Sequence, residues 1–330
     1  MKVAVIGSGF GRRVVAPVFA ETPGCDVADV VSARDEASVR ALIRRGDVDL
    51  VSVHSPPFLH APHVRMALES GKAVLCDKPF MPGADQARAL ETEAADAGVV
   101  ALCNFEFRYA PARHRLRELV QDGALGAIER VQIVHLSAGT RIPLRPYGWL
   151  FSREDGGGWI GAWGSHAIDG LRWMFGAEVV DVSARLRVDV PERPDDSGAY
   201  RRCTAEDGFS AIVRLSNEVT VVIDSGFAAV ANLRPRFTIF GSDAVAELSG
   251  DNRITLRRSD GSRDVIEEDE AAAPDAHLVP MRRYAAVVRD AVASGDVPRG
   301  APTFGDGRAC DEVLDRLRAC PFVAGAGEVV

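Results

Sequence analysis

The sequence predicts two domains of different class: a parallel, doubly wound α/β domain over residues 1–118, and a mainly antiparallel, open β-sheet domain with helices on one face over residues 119–330. Three observations carry this reading. Short apolar runs alternate with helical segments as far as Cys103. From about residue 120, β-branched runs follow one another with little helix between them. A glycine-rich turn, Gly7-Ser8-Gly9-Phe10-Gly11, falls between the first strand and the first helix.

The elements of the first domain follow in order. KVAVIG at the start is a buried strand ending in glycine, Arg12 to Ala20 has helical spacing, and Pro23-Gly24 stops it. Asp26 to Val31 is a second strand. Val48 to Val53 is a third, halted by Ser55-Pro56-Pro57. Pro62 to Ser70 is a helix with Gly71 as its stop, Ala73 to Cys76 a fourth strand, Asp85 to Ala97 an Ala- and Glu-rich helix, and Val99 to Cys103 a fifth strand. Strands and helices alternating with short connections imply a parallel sheet.

In the second domain the strand-like runs are IERVQIVHLS, VVDVSARLRVDV, GFSAIVRLS, EVTVVIDSGFAA, RFTIFG and RITLRR. Polar turns such as Ser216-Asn217 make consecutive strands antiparallel. Two helices close the chain, near His277–Ala293 and Asp306–Ala319, and the acidic run Glu267-Glu268-Asp269-Glu270 reads as a solvated loop. An open sheet leaves one apolar face uncovered, so a homodimer or homotetramer joined through this sheet is expected.

Composition excludes several classes. Lys plus Arg total 39 against 47 Asp plus Glu, a net charge of −8, which argues against non-specific binding to nucleic acid or anionic membrane. No apolar run reaches the roughly 18 residues of a membrane span. Arg12-Arg13 is no export signal, because an apolar strand precedes it where such a signal has a polar lead. The six cysteines are scattered without paired spacing, as for reduced thiols in a cytoplasm. His54, His60 and His63 cluster, but the prolines among them preclude a helical array and no carboxylate or thiol stands at ligand spacing, so no metal is expected. Neither a G-x-S-x-G nor a P-loop pattern is present.

The turn at Gly7, Ser8, Gly9, Phe10, Gly11 and Arg12 has the place of a dinucleotide fingerprint, with a tight turn leading into a helix N-terminus that faces a pyrophosphate. A strict G-x-G-x-x-G would put its third glycine at Arg12; here Gly11 comes one residue early. The second strand ends at Ser32-Ala33-Arg34, where an acidic residue would accept from the ribose of NAD. A hydroxyl and a cation suit the 2′-phosphate of NADP, so NADP is preferred and NAD is the alternative.

Three further segments carry a resemblance: VDLVSVHSPPFLH (48–60), Asp77-Lys78-Pro79, and GGGWIGAWGSHAIDGLRWMFG (156–176). With the glycine turn, their order and spacing resemble the glucose–fructose oxidoreductase / inositol dehydrogenase / MocA family. That resemblance implies a Rossmann-type first domain and an NAD(P)-dependent oxidoreductase acting on a secondary alcohol or ketone of a sugar, cyclitol or related polyol. It implies that Ser55, Pro56 and His60 line the cofactor cleft with Asp77 and Lys78, that Lys78 and His166 are catalytic, and that Asp169 supports His166. Asn104 and Arg108 after the fifth strand, and Tyr147, Trp149 and Trp163 around the glycine-rich turn, are the candidate substrate contacts.

The chain departs from the family pattern in three places. One helix only fits between Arg34 and Asp47, so the parallel sheet is shortened by one unit; Asp77 stands for the usual Glu; and Ala162 stands where an acidic residue usually precedes the histidine by four. Two other functions remain open at this point: bound nicotinamide used for glycoside cleavage, elimination or epimerisation, and an NADP-binding regulator without catalysis.

Overall fold

The computed structural model describes residues 1–268 and 275–322. Asp269 and Glu270 of the acidic run lie outside the described residues. The chain forms two compact units, and they do not follow a single boundary near 118. The first takes residues 1–109 together with 275–312, and the second takes 110–268 with 313–322. The boundary moves because the helix after Tyr109 packs within the second unit, while the chain returns to the first unit near its end.

In the first unit the strands are β1 (Lys2–Ile6), β2 (Asp26–Val31), β3 (Leu50–Val53), β4 (Ala73–Cys76) and β5 (Ala101–Cys103), in the spatial order β2-β1-β3-β4-β5. All pairings are parallel. The order reverses direction between β1 and β3, which makes their carboxyl ends the place where doubly wound sheets bind ligands. β2 is an edge strand with exposed Asp26 and Asp29, whereas β3 and β4 are buried at every position. That difference explains why VSV and AVLC read as continuous apolar runs and DVADVV does not.

The helices of this unit are α1 (Ala16–Glu21), α2 (Glu36–Ile43), α3 (His60–Glu69) and α4 (Ala84–Ala97). The first helical turn, Gly11–Val15, is a π-turn that runs directly into α1. α2 alone fills the interval between β2 and β3, and Asp35 caps it, its Oδ1 accepting from the Ser38 N–H at 3.1 Å. The second unit begins with α5 (Pro111–Gln121), whose polar and apolar faces alternate at helical spacing.

The second unit's large sheet holds β6 (Ile128–Leu136), β7 (Val179–Arg187), β10 (Gly208–Leu215), β11 (Thr220–Gly226), β12 (Arg236–Gly241), β13 (Ala244–Ser249), β14 (Arg253–Arg258) and β15 (Arg263–Glu267). Their order is β15-β14-β13-β12-β6-β11-β10-β7, antiparallel except for the β6/β11 pair. β8 (Glu192–Pro194) and β9 (Tyr200–Arg202) form a separate small hairpin. The sequence reading missed β13, β15 and this hairpin: β15 and the hairpin strands are short and heavily charged, and β13 is rich in alanine, a weak strand former. α6 (Ser165–Phe175) follows a second π-turn at Ile160–Gly164 and packs on α5. α7 (Leu278–Ser294) and α8 (Phe304–Arg318) close the chain.

α7 is laid into the first unit by its buried face. Met281, Tyr284, Ala285 and Val288 join the cluster of Val3, Val5, Phe19 and Leu75, and the Tyr284 hydroxyl donates to the Cys103 carbonyl at 2.7 Å. Among the described residues no helix is long and apolar enough to cross a membrane, no group of side chains is arranged to hold a metal ion, and all six cysteines are free thiols.

Candidate active site

Parallel register aligns the carboxyl ends of four strands. Ile6 lies opposite Val53, Val53 opposite Cys76, and Cys76 opposite Cys103. The backbone ladder continues one residue further: the His54 N–H donates to the Ile6 carbonyl at 2.7 Å, Asp77 to Val53 at 2.8 Å and Asn104 to Cys76 at 2.7 Å. Gly7, His54, Asp77 and Asn104 therefore form a row across the sheet edge. Equal register sends their side chains to one face. Along that row His54 Nδ1 lies 3.2 Å from Asp77 Oδ2, and Asn104 Nδ2 donates to Asp77 Oδ1 at 3.2 Å.

The glycine turn is shaped by this row. At Gly7, with φ of +140°, an added Cβ would lie 2.4 Å from the His54 carbonyl oxygen, so only glycine fits. At Gly11 an added Cβ would press on Val5 at 3.0 Å and on His54 at 3.2 Å. Gly11 thus makes the close helix-to-strand contact that the strict fingerprint assigns one residue later. Gly9 differs: a Cβ there would meet no atom within 4 Å. The open backbone at Gly9, beside two glycines packed tightly on the sheet, is a cradle suited to a pyrophosphate.

Phe10 is held by two histidines, His54 with ring centroids 5.7 Å away and His277 at 5.1 Å edge-on. His277 comes from the returning C-terminal segment, stacks on Phe107 and contacts buried Glu106 at 2.5 Å. Beside the turn, Arg12 reaches β2 and donates to the Val30 carbonyl at 2.8 Å, two residues before Ser32. Arg34 is exposed in the turn after β2, its N–H on Ser32 Oγ at 3.3 Å.

Asp77 is an ionised carboxylate. Burial opposes its charge, but the facing His54, then the Lys78 ammonium and His60, outweigh that and hold it below the usual carboxylate range. Lys78 follows it half-buried at the start of the Pro79-Phe80 turn, with its N–H on Asp77 Oδ1 at 2.9 Å.

In the second unit the candidate residues lie around the glycine turn Gly156-Gly157-Gly158. A Cβ at Gly157 would lie 2.3 Å from the Trp149 carbonyl, and one at Gly158 would lie 2.2 Å from Glu206 Oε1. Glu206 receives the start of the histidine helix: its Oε1 accepts from Ile160 N–H and its carbonyl from Trp159 N–H, both at 2.9 Å. Burial pushes its carboxyl group up. His166 and Asp169 then lie three residues apart on α6, both buried.

Comparison with known proteins places the chain. A family model described as an oxidoreductase family with an NAD-binding Rossmann fold matches residues 1–105, and one described as the GFO/IDH/MocA C-terminal domain matches residues 114–247. An uncharacterized oxidoreductase of Synechocystis is 31% identical over 269 residues, which span 76% of this chain and 72% of that protein. The chain belongs to the Gfo/Idh/MocA oxidoreductase family. The inositol 2-dehydrogenase of Rhizobium meliloti is 24% identical over 91% of this chain and 84% of its own. A levoglucosan dehydrogenase solved in complex with NADH and levoglucosan shares the fold, with a TM-score of 0.86 at 21% identity over 96% of each chain.

Within this Gfo/Idh/MocA oxidoreductase, several candidates stand elsewhere than the sequence suggested. His60 does not present its ring to a cleft. It is buried, with Nδ1 2.9 Å from the Phe80 carbonyl and Nε2 2.7 Å from the Ser55 carbonyl, and so ties the Ser55-Pro56 turn to the turn after Lys78. Burial lowers its pKa, against the pull of those two acceptors. Ser55 Oγ meets His63 Nδ1 at 3.3 Å, and burial holds His63 down at about 4, so this pair is neutral packing. Arg108 is not a pocket wall either: its guanidinium is bound to Asp306 Oδ1 at 2.9 Å and the Gly300 carbonyl at 3.1 Å, bracing the returning chain.

In the second unit Trp163 belongs to the core, between Trp159, His135 and Phe209, rather than to a substrate surface. His166, Asp169 and Trp173 are buried too, as are Ile160 and Leu171 along the same helical run. Tyr147 is pinned by the β8–β9 hairpin, its N–H on the Pro194 carbonyl at 2.7 Å and the Arg201 guanidinium 4.3 Å over its ring. Trp149 is half-buried against Phe151 and Phe227.

The sequence reading overlooked His54, Ser52, Glu206 and His277. His54 carried a signal, a histidine directly after a buried strand, but the metal question absorbed it. Glu206 and His277 had none, because their partners lie 46 and 171 residues away.

The open Gly9 and the tightly packed Gly7 separate binding from folding. Gly9→Ala should leave the melting temperature unchanged and weaken nucleotide binding by roughly tenfold, about 1.4 kcal/mol. Gly7→Ala should lower the melting temperature itself. Calorimetry with and without nucleotide checks both; unchanged affinity in Gly9→Ala rules out the cradle.

Proposed function

We propose that this oxidoreductase transfers hydride between NADP, in preference to NAD, and a secondary alcohol or ketone of a sugar, cyclitol or related polyol. The observation that carries the reading is the row of Gly7, His54, Asp77 and Asn104 at the carboxyl edge of the sheet, with the open Gly9 backbone following Gly7 and Lys78 following Asp77. The inositol and levoglucosan dehydrogenases among its relatives support a polyhydroxylated substrate. Gly7 to Gly11 would hold the pyrophosphate, and Arg12, Ser32 and Arg34 the adenosine end. Bound nicotinamide supplies the two-electron hydride donor or acceptor.

Moving the alcohol proton falls to the chain. His166 takes it as general base, since an imidazole suits proton transfer near neutral pH. The Lys78 ammonium holds the substrate oxygen and stabilises developing alkoxide charge. Asp169, three residues after His166, orients the ring, because Ala162 has no carboxyl group to do so. Asn104 is fully buried, so its amide acts on Asp77 and not on substrate, Nδ2 donating to Asp77 Oδ1 at 3.2 Å.

Two carboxylates follow β2 closely, and both are engaged within α2: Asp35 caps it, with Oδ2 on Ser38 Oγ at 2.7 Å as well, and Glu36 pairs with Arg40 at 2.6 Å. Arg34 and Arg12 remain at that end. The second copy in a homodimer or homotetramer would sit on the open face of the large sheet, where Ile212 and Val222 pair across strands and are 55% and 45% exposed. The free thiols fit a reducing cytoplasm.

On a polyol that wild-type protein oxidises, His166→Ala should lower kcat by roughly 10²-fold or more with nucleotide affinity intact, and Asp169→Asn should also lower kcat. Full turnover by His166→Ala would overturn the assignment of His166 as the base. Arg34→Ala should cost NADP roughly 10- to 100-fold in affinity, the scale of a lost charge-assisted contact, and leave NAD almost unchanged; equal losses by titration would remove the preference. Light scattering at micromolar concentration should show an oligomer that Ile212→Asp dissociates. A monomeric wild type contradicts the shared sheet face.

A further inference from the structure

We propose that His54 is a positioning residue of the active site, fixing the carboxylate of Asp77 and through it the backbone of Lys78 and the amide of Asn104. The proposal rests on the reading of Lys78 as the group that holds the substrate oxygen. His54 lies one residue past β3 with its side chain wholly buried. Ser52, two residues earlier on the same face, brings Oγ to 2.7 Å from His54 Nε2, while Nδ1 stands 3.2 Å from Asp77 Oδ2. The ring N–H meets that oxygen obliquely, so the contact is electrostatic more than directional.

A carboxylate only accepts, which places the ring hydrogen on Nδ1 and leaves Nε2 to accept from the Ser52 hydroxyl. Asp77 is then held from both sides. One oxygen faces His54; the other accepts from Lys78 N–H at 2.9 Å and Asn104 Nδ2 at 3.2 Å. The same histidine packs its backbone against Gly7, its Cβ and ring edge against Gly11, and its ring against Phe10. It thus joins the phosphate cradle to the carboxylate beside Lys78. A leucine would fill this buried strand end without the cost of desolvating a polar ring, so the imidazole is there for the polar contacts its two nitrogens make with Ser52 and Asp77.

Ser52, His54 and Asp77 have the connectivity of a hydrolytic triad, but they do not work as one. Ser52 is fully buried inside the sheet, where no substrate carbonyl can approach its hydroxyl. The chain of contacts orients a carboxylate instead of activating a nucleophile.

The test compares His54→Leu, His54→Asn, Asp77→Asn and the His54→Leu/Asp77→Asn double variant. The readouts are kcat on an accepted polyol, melting temperature, and the imidazole ¹⁵N–¹H spectrum of histidine-labelled protein. His54→Leu should lose roughly 10- to 100-fold in kcat, the scale of a displaced catalytic group. His54→Asn, whose amide can still donate to Asp77, should return to within about threefold of wild type. The double variant should be no slower than the slower single one, because both remove one connection. Equal losses in the Leu and Asn variants, or losses that multiply, overturn the proposal. So does a wild-type spectrum with the His54 hydrogen on Nε2 alone, or one that Asp77→Asn leaves unmoved. The spectrum needs no turnover: if no polyol is oxidised, the proposed function fails, and the spectrum still decides the role of His54.

Discussion

The structure depends on the parallel hydrogen-bond ladder running one residue beyond the strands. Because His54, Asp77 and Asn104 each donate a backbone N–H to the neighbouring strand, they are as rigidly placed as the core residues before them. Parallel strands fixed in register carry their side chains in register too. A carboxylate, an imidazole and an amide thereby meet in a row without any loop having to fold correctly. The glycine turn is then pressed onto the row, and its geometry follows from the His54 carbonyl that Gly7 must pass.

The helices after the two glycine turns start in the same manner. Each follows glycines that allow close backbone approach, and each opens with a π-turn, at Gly11–Val15 and at Ile160–Gly164. π-turns recur at functional sites because they widen the helix and redirect its first side chains. At the second of these starts, Glu206 holds Ile160 and occupies the space a side chain at Gly158 would need. A buried carboxylate there fixes the entry of the helix that carries His166.

The returning C-terminal segment gives the first unit its remaining braces. Asp306 holds Arg108, Tyr284 holds the end of β5, and His277 covers Phe10 and Glu106. Met81 N–H is similarly held by buried Asp311 at 2.8 Å. The segments after β4 and β5, which carry Lys78 and Asn104, are therefore tethered by residues some two hundred positions later in the chain. Side chains that look like a pocket wall in sequence, Arg108 above all, are consumed in this tethering.

What the sequence determined by itself was local. Apolar periodicity set the five parallel strands and the helices between them, glycine spacing marked the nucleotide turn, and the segments around Asp77-Lys78-Pro79 and Gly156–Gly176 identified the family. Those signals are short-range because a strand or a turn is specified by adjacent residues. Tertiary structure alone decided which polar groups meet. It set His54 against Asp77, turned the ring of His60 inward onto two carbonyls, placed Trp163 in the core, and engaged Asp35 as a cap. It also brought Glu206 and His277 to helices far away in sequence. The physical reason is that a hydrogen bond depends on distances of about 3 Å and on direction, and strand register and chain return set those across hundreds of residues without leaving a pattern in the sequence.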